Sequence, residues 1–366
     1  MDNYKMAKKI KAIANELFDS SEKKMLALVR SREVTQSELD SAIDGWDSTT
    51  ATFKSLTIAF NLAKNHPEVS FPSHVLPQLQ QVGITSRKRY LEILPHFVKV
   101  VKVLDSKGIP FIFLKGGAMR VYRPDIPRWS ADIDVLVPEE RYEEVLAEVK
   151  QMGYFLHLSP HSAGIRDLEN GQDFVDIHKY VSMDTGKERN LNVPLVSRSV
   201  VLPFSSYQVR VPCPEDMVFI SLVNFCKNIA HIFHDNSNIS IANLCFDLVF
   251  LDSRSSGLDW EIVRSDAKIT GSSEAVYLAI KILEEVIPDY FPKGFLVEDI
   301  DYKKVKRLLS RIVFSKDVLG PLREEIGVFN VSKAVERKVN PLRYLYLRTK
   351  YFFLKRYPAG GFKTKG

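Results

Sequence analysis

Ala131-Asp-Ile-Asp-Val-Leu-Val137 is the stretch whose reading decides the fold. It alternates polar and apolar residues, then runs apolar, which predicts a strand entering a buried sheet. Side chains of a strand alternate between faces. Asp132 and Asp134 therefore share one face, with Ile133 and Val135 on the other. Upstream, Ile109-Pro-Phe-Ile-Phe-Leu114 is a short apolar run rich in β-formers and predicts another buried strand. Between them Lys115-Gly116-Gly117 reads as a turn, Ala118 to Tyr122 as a turn or two of helix, and Arg123 to Ser130, with two prolines, as a loop.

Downstream, Pro138-Glu139-Glu140 opens a helix, because proline fits the first helical turn and acids favour its positive end. That helix runs to about Met152 and stops at Gly153. Tyr154 to Leu158 reads as a strand. Gln172-Asp-Phe-Val-Asp-Ile-His178 reads as a clearer one, with Asn170-Gly171 as a hairpin turn before it. Ser206 to Val211 adds one more strand of period two. An α/β unit thus sits between two helical flanks. In the first flank apolar residues recur at helical spacing, as in Leu91, Leu94, Val98, Val101 and Leu104, and Asp105-Ser-Lys-Gly108 ends the last helix. In the second, Pro214-Glu215-Asp216 opens one helix, and Trp260 to Ala267 and Ser273 to Val286 form others. The expected divisions are 1–107 (helical), 108–212 (α/β core), 213–330 (helical) and 331–366 (a basic, aromatic tail).

A chain of 366 residues holds two or three units of typical size. Its 45% hydrophobic and 26% charged residues exclude a wholly disordered chain, a collagen and a multi-span membrane protein. Cys213, Cys226 and Cys245 are too few for a disulfide framework, and no CxxC pair suits zinc. The expected setting is a reducing cytoplasm. The first residues carry no apolar stretch after their lysines, so no signal peptide is expected. Met217 to Cys226, the longest apolar run, is interrupted by Ser221 and Asn224 and is too short to span a bilayer.

The chemistry is expected at three carboxylates. Asp176 lies between Val175 and Ile177, again one acid between two β-branched residues. If its strand neighbours that of Asp132 and Asp134, three carboxylates converge. Two unit charges at about 4 Å repel by about 4 kcal/mol at an effective dielectric of about 20. Either one proton is retained at an elevated pKa, or a divalent cation sits there. Oxygen ligands without cysteine suit Mg²⁺ first and Mn²⁺ second, and Mg²⁺ favours one or two protein carboxylates plus substrate phosphates. That points to a nucleotide. Gly116 and Gly117 allow close approach of the main chain to a ligand, and the amides at the start of the helix suit a phosphate.

Around this centre several side chains have two readings each. Lys115 is either a phosphate donor or an exposed strand end. Arg128 either contacts ligand or pairs with Asp132 or Asp125. Ser130 either donates to ligand or caps a turn. His178 shares the face of Asp176 and either orients a carboxylate or is structural. Trp129 either stacks on a base or fills the loop. Asp173 falls on the opposite face and is left out of the metal set. His231 and His234 lack a third convergent ligand and read as structural. Trp46 and Trp260 read as core.

Phe113-Leu-Lys-Gly-Gly117, Arg128-Trp-Ser-Ala-Asp-Ile-Asp-Val-Leu-Val137 and Asp173-Phe-Val-Asp-Ile-His178 together resemble the DNA polymerase β-like nucleotidyltransferase superfamily. Its signature is a Gly-Gly or Gly-Ser turn, an Asp-x-Asp strand and a later single acid. More narrowly, the chain resembles a poorly characterised bacterial nucleotidyltransferase family with an LKG…R…DiDllV…iDlH pattern. Gly117 stands where many relatives have serine, and 14 residues separate it from Asp132. The motifs span residues 113–178, with a weaker likeness through the preceding helices and Leu258-Asp259-Trp260. The resemblance implies an α+β fold, with a small mixed-sheet core flanked by helices. It implies Mg²⁺-dependent transfer of a nucleoside monophosphate from a triphosphate to a hydroxyl acceptor, with release of pyrophosphate. Asp132, Asp134 and Asp176 would be the metal ligands and catalytic acids. Lys115, Gly116, Gly117, Arg128 and Ser130 would bind the nucleotide. Two alternatives remain open: a nucleotide-sugar-dependent or toxin-type transferase acting on protein or tRNA, and a nucleotide-binding regulator without turnover.

The net charge of +6 is unevenly placed: residues 301–366 carry 17 Lys/Arg against 5 Asp/Glu, the rest 34 against 40. A basic end on an acidic body suggests an anionic partner, phospholipid or nucleic acid, although no dedicated nucleic-acid module is recognisable. An inner-membrane surface is one candidate partner. A helix docked on the body with a positive rim is the alternative, since the cations do not gather on one helical face.

Overall fold

The computed structural model describes residues 3–124, 128–166, 173–181, 185–204, 207–232, 243–245, 247–248, 251, 257–295, 300–310 and 312. The basic tail 331–366, the Asn170-Gly171 turn, Asp125 and His234 lie outside the described residues.

Five helices come first: α1 (Asn3–Leu17), α2 (Ser20–Arg30), α3 (Gln36–Ile43), α4 (Phe53–Asn65) and α5 (Leu76–Ser106). Their starts are written locally. Asp19 with Glu22 and Thr35 with Glu38 form reciprocal capping boxes, and Thr52 caps α4. Pro77 occupies the first turn of α5. Gly108, at φ +61°, turns the chain out of that helix into the sheet.

The sheet has seven strands: β1 (Ile112–Phe113), β2 (Ile133–Leu136), β3 (Phe155–Leu158), β4 (Ser162–Arg166), β5 (Asp173–His178), β6 (Val200–Phe204) and β7 (Tyr207–Val211). Their spatial order is β3-β4-β5-β2-β1-β7-β6. The sheet is mixed: β2 runs parallel to β5 and antiparallel to β1, and β1 runs parallel to β7. Helices α6 (Lys115–Tyr122), α7 (Tyr142–Gln151) and α8 (Asn192–Arg198) connect strands, and α9 (Pro214–Ile232) leads into the helices Trp260–Thr270 and Ser273–Leu283. The fold is α+β, a mixed sheet flanked by helical segments.

Three features differ from the sequence expectation. Lys115-Gly116-Gly117 is the first turn of α6. Asp132 lies one residue ahead of β2. Strands β4 and β6 and helix α8 carry no clear periodic signal. β6 contains Pro203, which usually demotes a strand, but it is the last strand of the sheet and a missing donor there is tolerated.

Apolar burial joins the flanks to the sheet. Phe97 of α5 meets Phe113 of β1 edge to face, centroids 4.8 Å apart, and His96 stacks on Phe174 of β5 at 4.0 Å. α9 packs against both later helices, and α1 packs on Ser273–Leu283. In α9, Met217, Phe219, Leu222, Phe225 and Ile229 are buried, which accounts for its apolar sequence as core. Trp260 packs edge to face with Tyr290, Phe291 and Phe295. Arg198 ties the buried Asp216 of α9 to Asp266, the latter at 2.7 Å. Among the described residues no helix is long and apolar enough to cross a membrane. All three cysteines are free and buried.

Candidate active site

The parallel register of β2 and β5 sets Asp134 beside Asp176 and Leu136 beside His178. Aligned residues of parallel strands face the same way, so the two carboxylates meet. His178 Nε2 lies 2.8 Å from Asp134 Oδ1 and 3.1 Å from Asp176 Oδ2. Lys115 Nζ lies 2.5 Å from the same Asp134 oxygen. Ser162 of β4 donates its hydroxyl to Asp176 Oδ2 at 3.1 Å. Asp132, Asp134 and Asp176 line one open cavity of about 300 Å³, together with Lys115 and Gly116.

The electrostatics divide the three acids. Burial works to raise Asp134, but Lys115 and His178 outweigh it and hold its carboxyl below the usual range. Asp176 is also held low: His178 overcomes its burial. His178 is raised, because its bonds to both carboxylates overcome burial and the repulsion of Lys115. Asp132 behaves otherwise. Burial first, then the neighbouring Asp134, pushes its carboxyl up to about 7. No cation among the described residues pairs with it.

That imbalance predicts a pH dependence. The Asp132 carboxyl titrates at about 7 in the fold and near 3.8 when unfolded, so the folded chain retains an extra proton between these values. The associated stability is present at acid pH and lost as pH rises through about 7. Asp132→Asn, which is neutral throughout, should raise the melting temperature by a few degrees near pH 8 and by clearly less near pH 5, without divalent cation. Equal shifts at both pH values would contradict the assignment.

The start of α6 is built into this site. Lys115 takes φ +46°, a left-handed conformation that a non-glycine residue adopts under strain. Ala118 N–H donates to Leu114 O, so the amides of residues 115–117 lack intrahelical acceptors. Neither Gly116 nor Gly117 has positive φ, so the glycines serve close packing. A Cβ on Gly116 would lie 2.2 Å from Arg128 Nη1 and 2.9 Å from Ser130 Oγ, and one on Gly117 would lie 3.0 Å from Ile133 Cγ2. Gly116→Ala should therefore cost about 1–3 kcal/mol by overpacking and displace Arg128. Urea unfolding together with magnesium-nucleotide titration measures both effects.

Arg128 does not pair with Asp132, and Asp125 lies outside the described residues. Its Nε and Nη2 donate to Asp247 Oδ1 and Oδ2, each at 2.9 Å. Two parallel N–H···O bonds to one carboxylate make this the strong, geometrically specific form of the pair. Asn243, four residues before Asp247, donates to Trp129 O at 2.9 Å. One helical segment thus holds two successive residues of the loop. Ser130 Oγ donates to Asp132 O at 2.7 Å, the turn-capping role. Trp129 lines the cavity, as do Asn224, Lys227 and Asn228 of α9.

Sequence reasoning missed Asp247, Asn243, Lys227 and Ser162. The only signal was the spacing of Asn224 and Asn228, polar residues one helical turn apart in a largely apolar helix. His161 was missed too. Its ring stacks on His178 at 5.7 Å, and burial, with His178, lowers it to about 4. His231 belongs to α9, and its side chain lies outside the described residues.

Ligand atoms of Asp134, Asp176 and His178 lie within 4.8 Å of one another. Together with the unpaired Asp132, this acid-rich donor set fits a hard divalent cation. The family model described as "Uncharacterised nucleotidyltransferase" matches residues 46–288, more than half of the chain. No curated protein matches it.

Proposed function

Because this chain belongs to that uncharacterised nucleotidyltransferase family and transfers nucleotidyl groups, we propose that its donor is a nucleoside triphosphate, its acceptor a hydroxyl and its second product pyrophosphate. The carrying observation is the β2–β5 register, which pairs Asp134 with Asp176 in the cavity that Asp132 also lines. Asp132, Asp134 and Asp176 would hold Mg²⁺, or Mn²⁺ in its place. When bound, the metal neutralises phosphate charge and activates the attacking oxygen.

The chain's own residues do the remaining work. The amides of Gly116 and Gly117, at the positive end of α6, receive phosphate oxygens. Arg128 has spent Nε and Nη2 on Asp247, and Nη1, directed at Gly116, is left as the phosphate donor. Lys115, already within reach of Asp134, orients that carboxylate and screens incoming negative charge. Asp176, ionised at neutral pH, accepts the proton of the acceptor hydroxyl. The Asn224–Asn228 face binds the nucleoside or acceptor. Asn243 Oδ1, buried with no hydrogen-bond partner among the described residues, favours a ligand that presents an N–H or O–H there.

The test is a panel of nucleoside triphosphates and nucleotide-sugars, assayed for binding by thermal shift and for pyrophosphate release, with and without Mg²⁺. The reading expects a metal-dependent shift with at least one triphosphate, and pyrophosphate once an acceptor is supplied. Absence of any metal-dependent nucleotide binding would overturn it.

A further inference from the structure

A second cavity, of about 340 Å³, lies between α5, α6 and the β6–β7 end of the sheet and shares no lining residue with the candidate active site. Its volume is in the range of small-molecule pockets. Leu94, Val98, Val101, Val121 and Phe204 make most of its wall apolar.

One wall residue is out of keeping with that surface. Arg120 reaches the cavity from α6, and no carboxylate among the described residues pairs with it. Its guanidinium carbon sits 4.1 Å from the centre of the Tyr90 ring, and Nη2 donates to Arg128 O. These two contacts hold the side chain in place without neutralising it. Burial pulls its pKa down to about 10, so it remains a cation at neutral pH. A partly buried cation on an apolar wall favours a ligand that brings a negative charge. Such a ligand forms a charge-assisted hydrogen bond with a guanidinium already oriented for it.

We infer that this cavity binds a small amphipathic carboxylate, its hydrocarbon body between α5 and β6–β7 and its carboxylate on Arg120. The rings of Tyr90, Phe97, Phe204 and Tyr207 suit an alkyl or aromatic body, and a single cation suits a monoanion. This site is independent of the nucleotidyl transfer reading.

The experiment is calorimetric titration of the full chain, without nucleotide or metal, with octanoate, octan-1-ol and acetate. Octanoate is expected to bind roughly tenfold tighter than octanol, the worth of one charge-assisted bond. Acetate, with the charge but no apolar body, is expected to bind weaker still. Arg120→Gln should erase the preference for octanoate over octanol, and Arg120→Lys should keep part of it. Val98→Trp, which fills the cavity, should block both long-chain probes, with circular dichroism confirming that each variant is folded. Octanoate binding no tighter than octanol, a preference surviving in Arg120→Gln, or undiminished octanoate binding in folded Val98→Trp would each overturn the inference.

Discussion

Asp134→Asn is expected to lower kcat/KM for nucleotidyl transfer by about 10³-fold or more while leaving the chain folded. One Asp134 oxygen receives both Lys115 Nζ and His178 Nε2, and the same carboxylate faces Asp176 across the β2–β5 pair. The amide is isosteric but uncharged. It removes the negative charge that a divalent cation requires and leaves Lys115 and His178 competing for one weak acceptor. Losses of this order follow the removal of a single group that stabilises charge in a transition state. Metal-dependent nucleotide binding should weaken in parallel, measured by calorimetry, with circular dichroism as the check on folding. A folded Asp134→Asn chain with normal turnover would remove the basis of the proposed chemistry.

The second large effect is expected far along the chain. Asp247→Ala should destabilise the fold by about 3–5 kcal/mol, the cost of leaving one charge of a buried pair uncompensated. The Asp247 side chain is 2% exposed and that of Arg128 13%, so little water reaches the pair. Burial works to raise the carboxyl of Asp247, and Arg128 partly offsets this. Removing Asp247 also releases the guanidinium beside Gly116. The nucleotide KM should therefore rise more than kcat falls, because Arg128 would still be present but no longer aimed. Asp247→Glu should recover part of the stability and of the KM. Urea unfolding and steady-state kinetics separate the two effects. A KM unchanged in Asp247→Ala would mean that Arg128 does not touch the nucleotide.

Much of the centre was legible in the chain itself. Strand alternation is local, so Asp-x-Asp beside an apolar strand predicts two acids on one face; both do line the cavity, although Asp132 lies one residue ahead of β2. A helix start was legible for a similar reason: at Pro214, Glu215 and Asp216 complement the helix end within one turn. Lys115-Gly-Gly was misread as a turn because two glycines usually mark one. Here they open a helix, and the unusual dihedral falls on Lys115 instead. The partner of Arg128 was sought at Asp132 or Asp125, within the same loop. It is Asp247, 119 residues away, which no local spacing signals.

The amino-acid order alone determined which residue types line the candidate site and the helical character of both flanks. These depend on backbone periodicity and on contacts within one turn. Only the tertiary structure decided that β5 lies parallel to β2, so that Asp176 and His178 join them. It also decided that Asn243 and Asp247 close on the Arg128 loop, and that Arg120 faces an apolar cavity without a counter-charge among the described residues. Those outcomes depend on burial between elements distant in the chain, where desolvation and packing select partners that local preference does not distinguish.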